Sequence, residues 1–135
     1  MSIENARAAY PILVGLARES CAAIRERRPA VWASYDDFCR RCQDAGIKET
    51  PRTILAKLLR PIQQACLEKE LPDLSALIVQ KARSRGDFGA QYRPADGWWQ
   101  PYTDRGEAEA GDVSFWFARY KAARDFDSWP EAPFF

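Results

Sequence analysis

Two helix starts in close succession, at Ser34 and at Thr50-Pro51, constrain this chain more than any other feature of it. Ser34 is a good N-cap, and Asp36 and Asp37 fall in the first turn, where negative charge favours the positive end of a helix. The spacing of Phe38, Cys39 and Cys42 predicts a helix from Tyr35 to about Ala45, closed by Gly46. Thr50 with Pro51 at the first helical position then opens a second run, with Ile54, Leu55, Leu58, Leu59, Ile62 and Cys66 at helical steps. Pro61 lies inside that run and predicts a kink or a split into 51–60 and 61–69, because it removes one hydrogen bond and crowds the Lys57 carbonyl. Two helices joined by a short turn with a glycine are the pattern of a helix-turn-helix.

The flanking segments extend the pattern. Tyr10, Leu13, Val14, Ala17, Cys21 and Ile24 recur at three- and four-residue steps, predicting a first helix over 6–26, with Pro11 tolerated near its start. Leu71-Pro72-Asp73 breaks the third helix, and Leu74 to Lys81 reads as a strand, β-branched towards its end. Ala82 to Gly89 reads as a turn, and Phe88 to Tyr92 as an antiparallel return. The expected fold is mostly α with a small β-hairpin (α+β), winged helix-turn-helix-like over residues 1–94. Residues 95–135 form an aromatic C-terminal extension packed on it, as one domain overall. Within that extension Asp112 caps an expected last helix over 113–125, with Trp116, Tyr120 and Ala123 on one face.

Three stretches carry a family resemblance: Ala33-Ser34-Tyr35-Asp36-Asp37-Phe38, Thr50-Pro51-Arg52 with the helix to Arg60, and Leu71-Pro72 to Lys81. In this order they resemble the DNA-binding domain of alkylguanine DNA alkyltransferases and alkyltransferase-like proteins. The resemblance implies a winged-helix fold and DNA contact through the second helix of the pair. It does not carry alkyl transfer or a lesion pocket, because Asp73 stands where the alkyl-accepting cysteine would follow Pro72, and the His-Arg after it is absent.

Composition narrows the chemistry. The chain has no histidine, which removes Ser-His-Asp and Cys-His nucleophile activation, histidine metal sites and the commonest general base near neutrality. Cys21, Cys39, Cys42 and Cys66 fall in helical segments and are expected as reduced, partly buried thiols. Cys39-x-x-Cys42 is a weak metal or redox cue, since no second ligand pair at zinc spacing accompanies it. No metal, cofactor or catalytic residue is therefore assigned. No apolar run is long enough to span a bilayer. Met1 to Ala9 carry charges and no apolar stretch, which predicts the absence of a secretory signal and a cytoplasmic location.

The net charge of +1 conceals a division. Residues 1–94 hold 16 Lys/Arg against 11 Asp/Glu, net +5, and residues 95–135 hold 4 against 8, net −4. The expected nucleic-acid contacts are Arg40, Arg41, Lys48, Arg52, Lys57 and Arg60, with Lys81, Arg83 and Arg85 on the wing. The alternative is a protein partner or a homo-oligomer, met by the aromatic side chains Trp98, Trp99, Phe115, Phe117, Phe134 and Phe135. Phe115 and Phe117 flank Trp116 and cannot all face inward from one helix. The sequence reading is thus of a non-catalytic module whose ligand is DNA or, alternatively, a protein.

Overall fold

The computed structural model describes residues 2–28, 33–81 and 92–135. The expected wing turn over 82–89, with Arg83 and Arg85, lies outside the described residues, as do the Lys81 side chain and the 30–32 stretch.

Helix α1 spans Ser2–Arg25. It starts a turn before the expected boundary because Ala6 and Ala9 continue the buried stripe of Tyr10, Leu13, Val14 and Ala17. Pro11 therefore sits well inside the helix, on its exposed side. The stripe outruns the core at its other end: Ile24, expected on the apolar face, is 45% exposed.

Strand β1 (Ala33–Ser34) leads into helix α2 (Tyr35–Asp44). The Ser34 hydroxyl accepts from the Asp37 amide at 3.1 Å, and Gly46 takes a positive φ of 89° just beyond the helix. The following segment departs from a plain helix. Residues 51–53 form a turn, Leu55–Leu59 wind as a π-helix, and helix α3 runs over Arg60–Glu68. The expected break at Pro61 thus takes the form of a change of winding. Pro61 has no N–H to offer the Lys57 carbonyl, and the chain widens just before it, so that the Arg60 amide reaches back to the Leu55 carbonyl.

The expected strand over 74–81 divides in two. The Asp73 carboxylate accepts from the Ser75 amide and folds Leu74–Leu77 into a 3-10 turn, leaving only Ile78–Lys81 as strand β2. Strand β2 pairs in parallel with β1, Ala33 opposite Ile78, and antiparallel with strand β3 (Tyr92–Arg93), Gln80 opposite Arg93. A 3-10 turn (Asp96–Trp99), helix α4 (Gln100–Asp104) and helix α5 (Val113–Asp125) follow. Asp112 caps α5 by accepting from the Phe115 amide at 3.2 Å.

The result is a mostly helical fold with a small β element. Its core lies where α1 meets the 55–59 turns, α3, the 74–77 turn and α5. The C-terminal residues return to α1: the Tyr10 hydroxyl donates to the Pro130 carbonyl at 2.7 Å, and the Phe134 and Phe135 rings meet Tyr10 edge-on. Among the described residues no helix is long and apolar enough to cross a membrane.

Candidate functional site

The aromatic extension is joined to the body through one buried polar cluster. Asp73, Gln63, Ser75, Trp98 and Tyr102 are all buried. The Tyr102 hydroxyl donates to Asp73 Oδ2 at 2.6 Å, and Gln63 Nε2 donates both to the same oxygen and to the Trp98 carbonyl, each at 3.1 Å. Asp73 Oδ1 accepts from the Ser75 amide and hydroxyl, and the Ser75 oxygen accepts from the Trp98 indole at 2.9 Å. Four donors saturate the carboxylate, so the cluster is satisfied internally. Burial raises the Tyr102 pKa, and the neighbouring Asp73 charge raises it further. Ser75 and Asp73 are adjacent but closed off in the interior, which gives them a structural role.

This cluster also settles where several predicted residues sit. Arg60 does not face outward with Arg52 and Lys57: its guanidinium donates to Gln63 Oε1 at 2.9 Å and to the Gly97 carbonyl, and burial lowers its pKa. Tyr35 is tied to the same segment, accepting from the Ala95 amide at 2.8 Å, with burial pushing its pKa up to about 12. Trp98 and Trp99, expected among the exposed anchors, are core residues, stacked edge-to-face at 5.0 Å. Phe115 is half-buried beneath the Arg119 guanidinium, and Phe134 and Phe135 are half-buried against the core. Each of these aromatic side chains is turned inward because it covers apolar surface of its own chain.

Of the predicted aromatic residues, Phe117 is the one left exposed, at 39%. It lies on α5 with its ring stacked on Tyr120 at 5.9 Å and the Lys121 ammonium 4.9 Å above it. Tyr120 in turn hydrogen-bonds the Ser20 side chain of α1. Ile24 follows Ser20 by one turn of α1, and Phe117 precedes Tyr120 by one turn of α5. Ile24 and Phe117 each lie one turn from the Ser20–Tyr120 contact along the α1–α5 seam, and a third large apolar side chain, Ile3 near the start of α1, is also exposed. Ile24 was not singled out as a site residue in the sequence; its position on the apolar stripe concealed that the core ends before it.

Arg124 is paired with Asp125 at 2.7 Å, an interaction that holds the Asp125 carboxyl below the usual range, with Lys121 and Arg25 also drawing it down. Arg25 of α1 and Lys121 of α5 thus both act on the Asp125 carboxylate, without an ion pair to it. Arg28 is taken up by Glu26, whereas Arg25, Arg27 and Lys121 enter no ion pair among the described residues.

The remaining predicted cations lie elsewhere. Arg40 and Arg41 are exposed on α2, 3.7 Å from Asp37 and 3.6 Å from Glu19. Lys48, Arg52 and Lys57 are exposed along the 48–57 segment. Cys39 and Cys42 are buried; the Cys39 thiol donates to the Glu49 carbonyl at 3.3 Å, and burial pushes Cys42 up to about 11, which disfavours the reactive thiolate. Among the described residues no group of His, Cys, Asp or Glu is placed to hold a metal. Comparison with protein families, curated proteins and solved structures gave no match.

Proposed function

We propose that this chain is a non-catalytic protein-interaction module with a winged-helix-like core, presenting the α1–α5 seam to a protein partner. The observation that carries this reading is the Phe117 ring, 39% exposed on α5, stacked on Tyr120 where α5 meets Ser20 of α1. An exposed aromatic ring supplies an apolar anchor for an interface, and the Lys121 ammonium over it supplies a charged edge. The rest of the aromatic extension supports the seam from behind, with Trp116 and Tyr120 buried beneath it.

A second reading, DNA contact through the 48–57 segment, is favoured by the exposed Lys48, Arg52 and Lys57. Photo-crosslinking separates the two. A benzophenone side chain is placed at Phe117 or at Arg52 of the full chain, in the cells that make it. Protein adducts from position 117 and none from position 52 are expected. Nucleic-acid adducts from position 52, with none from 117, would overturn the protein reading in favour of the second.

A further inference from the structure

We draw no further inference here: the strongest candidate, the open cavity of about 360 Å³ at the C-terminal end of α2, lined by Gln43, Gly46, Ile47, Lys48, Glu49 and Thr50, holds no buried polar side chain left without a partner among the described residues, so nothing in the structure points to a ligand for it.

Discussion

The Tyr102 hydroxyl meets Asp73 Oδ2 at 2.6 Å, and with this bond the aromatic extension is fastened to the helical body. Asp73 gathers donors from α3, from its own turn and from α4, so its loss exposes several unmet groups at once. Asp73→Asn replaces an acceptor by a donor that faces other donors and is expected to lower stability by about 2–4 kcal/mol. Tyr102→Phe removes one donor and is expected to cost about 1–2 kcal/mol. Urea unfolding of both variants and of the double variant checks this; because the two share a bond, the double variant loses less than the sum.

Stability is expected to fall in alkali and to stay level around neutrality. Burial pushes Cys66 from 9.0 up to about 12 and Tyr35 from 10.0 up to about 12. In the unfolded chain these groups ionise at their ordinary values, so as pH rises the unfolded state loses protons first and is favoured. Their contribution is whole below pH 9, declines from there, and is lost as pH passes about 12. With no histidine, no comparable change is expected between pH 6 and 8. Urea midpoints across pH 6–12 test both parts, and Tyr35→Phe flattens the decline above pH 10.

Two helices end on a residue that pays strain where glycine would not. Arg27 and Glu70 both have φ of 55°, and the residue after each returns its amide to the helix, Arg28 to Ala23 and Leu71 to Cys66. Arg27→Gly and Glu70→Gly are expected to raise stability by about 0.5–1 kcal/mol each, and Gly46→Ala to lower it by about 1 kcal/mol. Thermal melts of the three variants measure the set.

Arg60 and Arg52 are expected to behave differently despite lying in one basic run. Arg60 braces α3 against the Gly97 carbonyl, so Arg60→Ala lowers the urea midpoint. Arg52 is at the surface, so Arg52→Ala leaves stability within about 0.5 kcal/mol. Equal effects of the two on stability would contradict the strut role.

How much of this was legible in the sequence follows the range of the interactions. Ser34, Gly46 and Asp112 act on backbone groups within a turn of themselves, and their helix boundaries could be read directly. Pro61 announced a break but not its form, because the widened winding depends on how the preceding turns pack. Asp73 was visible only as a breaker: its partners Gln63, Trp98 and Tyr102 come from elements far apart in the chain, and so the 74–77 turn passed for strand. The seam was hidden for a related reason. Helical spacing places Ile24 on the apolar stripe, but only the packing of α5 decides where the core stops.

The most direct test of the α1–α5 seam is the size of the chain's complex in extracts of the cells that make it, measured for the parent chain and for the Ile24→Asp, Phe117→Asp double variant. The account predicts a partner-bound species for the parent chain, lost in the double variant with its thermal melt unchanged, and retained in Arg52→Ala with Lys57→Ala. A complex that survives Ile24→Asp with Phe117→Asp and disappears with Arg52→Ala and Lys57→Ala would contradict it.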